Sequence, residues 1–223
     1  MRLSEILLLL LANLALSLAV LLAAWAVARR REDLGFIDAV WPLAMLLMAL
    51  GAFVQADGDP VRKGLLTWLC AVWAVQTAWP LWAKWRREGP RAGYASITDD
   101  WAGRGWSRAR TWLLIFFLPQ GLLAWLISLP VQLGQANPSP TIGALGWAGA
   151  VIAVGGVALG SVADSRPGVR RFRGLGDLAV WWGLYLIAAE TGPGRWAILG
   201  PVLLTWMVLR DLRVRAAPEH PKP

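Results

Sequence analysis

Histidine and cysteine are nearly missing from this chain of 223 residues, which holds one of each. A lone Cys70 excludes a disulfide framework and a thiolate metal site. A lone His220, in the Pro-rich stretch 217–223, leaves no histidine pair for zinc, haem or acid–base work, and no metal is expected. Charge is sparse too, at 16% of residues, and tyrosine occurs only twice.

What the chain has is apolar length, with 57% hydrophobic residues. Runs at 6–28, 36–54, 64–82, 111–133 and 142–162 each approach or exceed the ~20 residues that cross hydrocarbon as a helix. Two shorter runs follow at 178–189 and 196–209, separated by Thr191-Gly192-Pro193-Gly194. A soluble core does not stack five such runs. The expected fold is all-α: a polytopic membrane protein of about seven transmembrane helices. It forms one domain over 1–216, with a polar tail at 217–223.

A formal charge of +8 would suggest nucleic acid in a soluble chain. Here the cations flank the spans, so no nucleic-acid partner is expected. With seven spans, eighteen Lys and Arg fall on one side and four on the other. Cytoplasmic loops collect such residues, which puts the N-terminus outside and the C-terminus in the cytoplasm. The first run ends in Arg29-Arg30-Arg31 with no small-residue cleavage site, and reads as a retained helix rather than a secretory signal.

Polar residues inside the runs are few. Asn13 and Ser17 lie four apart on one helix face, as a helix–helix hydrogen bond needs. Asp38 sits just within the second run, where a carboxylate is costly and is either functional, a cap for the helix, or paired with an arginine at the cytosolic surface. Pro119-Gln120-Gly121 interrupts the fourth run and frees a backbone carbonyl there. Gly155-Gly156 and Gly160 suit close helix contact. Between the third and fourth runs lies a long basic loop with Lys84, Arg86, Arg87, Arg91, Arg104, Arg108, Arg110 and, among them, Tyr94. Loops of that length are often functional.

Several short patterns recur in the order of one known family. These are Asp38-Ala-Val-Trp41, the helix around Trp73-Ala-Val-Gln76, a loop ending in Tyr94, and Gln120-Gly121 followed by Ser128-Leu-Pro130. Ala163-Asp164 and then Gly176-Asp177 with Trp181-Trp182-Gly183 complete the series. Over about 33–209 the chain resembles bacterial membrane reductases allied to the steroid 5-alpha-reductases. The resemblance implies seven helices in a bacterial inner membrane, NADPH at the cytosolic end, and hydride transfer to a hydrophobic enone or unsaturated lipid. It makes Tyr94 the acid that polarises the carbonyl, with Asp38 a second candidate. It assigns Asp164, Asp177 and Gln120 to the nucleotide's polar groups, and Arg170, Arg171 and Arg173 to its phosphates, which guanidinium binds in bidentate fashion.

The chain departs from that family where Gln76 stands in place of an arginine. Residues 165–175 also replace a longer segment that ends in a His, Asn and Tyr motif. Those departures leave a second reading open: a non-catalytic relative that binds membrane lipid or a partner membrane enzyme. The cations after the fifth run would then be anchors for anionic headgroups. A third reading, a small transporter, would require inverted repeats that the sequence does not display.

Overall fold

The computed structural model describes residues 2–89, 92–138 and 141–216, with the side chains of 92, 167, 170, 171 and 214–216 left out. Among the described residues every regular element is helical. Five segments are long and apolar enough to cross a membrane. They are α1 (Leu3–Arg31), α2 (Ile37–Gln55), α3 (Pro60–Glu88), the composite segment Arg108–Ile127, and α8 (Ala144–Ser165). The protein is an all-helical membrane protein.

The basic loop is not irregular, because it contains α4 (Ala92–Gly103). The composite span starts with α5 (Arg108–Thr111), which Ser107 caps by accepting from the Arg110 amide at 3.3 Å. It widens into a π-helical stretch, Trp112–Phe117, and continues as α6 (Leu118–Ile127). Pro119 in the first turn of α6 has no N–H, so the ladder is already broken there, and a wide turn is one way to accommodate that break. The sequence placed the interruption at Pro119, and it falls one turn earlier. After Ser128 the chain resumes as α7 (Leu129–Gly134).

The last third is built on α8. A 3-10 turn, Pro167–Phe172, reverses the chain into α9 (Arg173–Ala189). A second 3-10 turn, Pro193–Ile198, leads into α10 (Leu199–Ala216). The tail 217–223 lies outside the described residues.

In lipid the hydrophobic effect does not hold helices together, so close packing must. The most extensive pair, α8 with α9, is a glycine seam. A Cβ at Gly183 would sit 2.4 Å from the Gly149 carbonyl oxygen, and one at Gly156 2.7 Å from that of Gly176. Gly160 opposes the Gln76 side chain, whereas Gly155 faces open space and takes no part. Outward, Trp68, Val75 and Trp79 form an exposed apolar face along α3, at 69%, 57% and 70%. Contiguous apolar surface of this kind suits hydrocarbon and not water.

Two polar ties fix the interior. Asn13 Nδ2 donates to Gln132 Oε1 at 3.1 Å, and Ser17 Oγ to the Gly121 carbonyl at 2.8 Å. The Asn13 and Ser17 face therefore does join helices, as their spacing suggested. At the end of the bundle away from the basic loop, Glu190 accepts from the amides of Gly143 and Gly146 at 3.0 and 2.8 Å. It also pairs with the buried Arg62 at 3.5 Å.

Candidate functional site

At the basic end, α1, α3 and α8 terminate while α2 and α9 begin. Two polar groups form there. The first is a pair. Tyr94, in the first turn of α4, donates from Oη to Asp38 Oδ1 at 2.5 Å. Asp38 is half-buried in the first turn of α2. The Tyr94 ring stands edge-on to Phe116, with centroids 5.1 Å apart.

Buried Thr98 fixes α4 against the span. Its Oγ1 donates to the Tyr94 carbonyl at 2.7 Å and accepts from Trp112 Nε1 at 3.1 Å. Trp25 Nε1 donates to the Ala109 carbonyl at 2.9 Å, tying α1 to the same corner. A cavity of about 180 Å³ opens beside Tyr94, between Asp33, Leu34, Thr98, Arg108 and Trp112.

The second group joins α3, α8 and α9. Arg173 pairs with Asp164 through Nη1, and Nη2 reaches Thr77 Oγ1 at 2.6 Å and Asp177 Oδ1 at 3.4 Å. Asp177 Oδ1 also accepts from Trp73 Nε1 at 2.8 Å. Gln76 Nε2 donates to the Val157 carbonyl at 2.9 Å and to Ser161 Oγ at 3.0 Å. One guanidinium thus stands between two carboxylates, and α8 ends on a carboxylate that its dipole disfavours unless a cation attends it.

A tryptophan cluster connects the groups. Trp41, one turn beyond Asp38 on α2, packs edge-on to Trp73 at 5.8 Å, and Trp73 to Trp181 at 5.1 Å. Because α2 and α3 are antiparallel neighbours, the Trp41–Trp73 contact puts Asp38 near the height of Gln76 and Thr77.

Of the residues expected from the sequence, Tyr94 meets Asp38, and Asp164, Arg173 and Asp177 meet one another. Gln120 shares no hydrogen bond with either group. Its Oε1 is buried without a partner among the described residues. Arg170 and Arg171 contribute backbone to the 3-10 turn, and their side chains lie outside the described residues. The sequence reading missed Thr77 and Trp73 as partners. The available signal was their helical spacing, since Trp73, Gln76 and Thr77 share one face of α3.

No curated protein and no solved structure matches the chain. A family model described as "Protein of unknown function (DUF1295)" matches residues 24–174 and 170–219, and the chain belongs to that family.

Proposed function

We propose that this protein is a membrane-embedded reductase allied to the steroid 5-alpha-reductases, acting on a hydrophobic enone or unsaturated lipid with NADPH. The observation that carries the reading is the 2.5 Å hydrogen bond to Asp38 from Tyr94, a residue that lines a cavity. Tyr94 gives its single O–H to Asp38 at rest; to act as the acid it turns that proton to a substrate oxygen, and the phenolate is reprotonated from water. General acid catalysis of this kind contributes roughly 10²–10⁴-fold. The cavity is below the ~300–1,000 Å³ of most small-molecule pockets, so it suits the carbonyl end of a substrate whose apolar remainder lies between helices or in lipid.

The nucleotide, when bound, supplies the hydride. The fit to it is partial. Asp164 and Asp177 are acceptors of the kind a ribose hydroxyl or carboxamide needs. Arg173, assigned to phosphate by the resemblance, already serves both of them. Phosphates would then fall to the backbone turn that carries Arg170 and Arg171.

We take α9 and α10 as two further spans, making seven, with the N-terminus outside and the C-terminus cytoplasmic in a bacterial inner membrane. The eighteen-to-four division of cations supports that orientation.

The pairing of Arg173 with two carboxylates favours a second reading, a non-catalytic relative that binds membrane lipid or a partner membrane enzyme. The two readings separate on one assay. Purified protein in lipid nanodiscs is given NADPH and a panel of cyclic and acyclic enones. NADPH consumption by the native chain, lost in Tyr94→Phe, supports the reductase. No consumption above an empty-nanodisc control supports the non-catalytic relative.

A further inference from the structure

A second recess, about 560 Å³, lies at the ends of α1 and α3 and is lined by Arg31, Asp33, Trp82, Trp85, Arg86 and Gly89. It shares only Asp33 with the first. Its size falls within the ~300–1,000 Å³ that small-molecule sites occupy, well above a single-ion site. The α3 helix ends against it on Gly89, whose φ of +73° a side chain would strain.

The recess carries two guanidinium groups against one carboxylate. Arg31 and Arg86 make no ion pair among the described residues. The one acid in the wall is held by two hydrogen bonds. Asp33 accepts from the Gly35 amide on Oδ1 at 2.7 Å and from Trp85 Nε1 on Oδ2 at 2.8 Å. Glu88, the next acid along α3, pairs with Lys84 at 3.5 Å. Many other basic side chains at this end are occupied: Arg29 stacks on Trp25, Arg110 on Trp106 and Arg210 on Trp206. Arg104 stacks on Trp101 and also pairs with Asp100. The floor is aromatic, with Trp82 and Trp85 at 4.9 Å and Trp82 38% exposed.

We infer that this recess is a binding site for a phosphate group, supplied by an anionic phospholipid headgroup. Two guanidinium groups lining one space, against a single carboxylate held by two hydrogen bonds, match the bidentate recognition of phosphate. The position matches too. The recess lies where two spans end at the membrane surface, and tryptophan sits at the level of headgroups. Paired tryptophans would bear on the glycerol and carbonyl region below the phosphate. The site is independent of the reductase reading, since it uses neither Tyr94, Asp38 nor the Arg173 group.

The test is lipid binding by native mass spectrometry and by thermal shift in a neutral detergent. The full chain is titrated with dioleoyl phosphatidylglycerol, dioleoyl phosphatidylcholine or inorganic phosphate. Phosphatidylglycerol is expected to bind and to raise Tm, with phosphatidylcholine weaker. Losing charge-assisted hydrogen bonds in R31Q/R86Q is expected to weaken phosphatidylglycerol at least roughly tenfold. R104Q/R210Q removes the same charge from the same end and is expected to bind like the native chain. Equal weakening in both pairs, or none in R31Q/R86Q, overturns the site. Inorganic phosphate that raises Tm alone and is lost in R31Q/R86Q supports the phosphate site but moves its source to a soluble ligand. Should R31Q/R86Q fail to fold, Arg86→Lys keeps the charge and removes the fork. Weaker binding then supports the site, and unchanged binding overturns it.

Discussion

Tyr94 and Asp38, 56 residues apart, meet through a hydrogen bond of 2.5 Å made by two first turns, one on α4 and one on α2. If this pair delivers the proton, Tyr94→Phe removes the donor and leaves the Phe116 contact in place. Turnover is expected to fall by roughly 10²–10⁴ while NADPH affinity is unchanged. Steady-state kinetics with an equilibrium binding assay check this. Unaltered turnover removes Tyr94 from the chemistry.

The Arg62–Glu190 contact is a different kind of pair. Arg62 is 1% exposed, and its Nη2 also donates to the Thr141 carbonyl at 2.6 Å. Glu190 closes the start of α8 through two amides. Glu190→Ala removes the carboxylate from beside a buried guanidinium and uncaps a helix, so a loss of about 3 kcal/mol is expected. Reversible denaturation in mixed micelles reads it directly.

Asn13 should matter much less. Its bond to Gln132 is buried, yet its Oδ1 has no partner among the described residues. Hydrogen bonds between membrane helices average only ~0.6 kcal/mol, because the unfolded chain in lipid also finds partners. Asn13→Ala is therefore expected to cost under about 1 kcal/mol in the same assay, clearly less than Glu190→Ala.

The α8–α9 seam predicts a position effect within one residue type. Gly183→Leu drives a side chain into the Gly149 carbonyl and is expected to cost about 3 kcal/mol. Gly155→Leu, four residues after Val151 on the open face, points into space with nothing within 4 Å and is expected to change stability by less than about 0.5 kcal/mol. Equal costs would contradict the seam.

Much of this was legible in the residues. Long apolar runs with cations between them give helices and a membrane without tertiary information. The four-residue spacing of Asn13 and Ser17 gives their shared face. The glycines of α8 announced close packing, although Gly155 and Gly156, adjacent in sequence, point to opposite surroundings, and composition alone does not separate them. The site was less legible. Whether Tyr94 reaches Asp38 depends on α4 folding back over the bundle, and the loop's charges masked a helix. The Arg62–Glu190 pair went unread, because two residues 128 positions apart have no local signature. Arg173 and Asp177 stand four apart on α9, a spacing visible in the sequence, whereas the pairing with Asp164 followed only once the 3-10 turn had brought α8 and α9 together.

The central claim is that the basic end of the bundle holds a reduced nicotinamide nucleotide beside Tyr94. The most direct measurement is the thermal shift of the detergent-purified chain across NADPH concentrations, repeated on Asp164→Ala. A ligand that binds only the folded state raises its stability by mass action, about 2.7 kcal/mol at one hundred times Kd. A saturable rise in Tm at micromolar NADPH, lost in Asp164→Ala, is the predicted result. No rise at millimolar NADPH would contradict the account and make the non-catalytic, lipid- or partner-binding relative the better description.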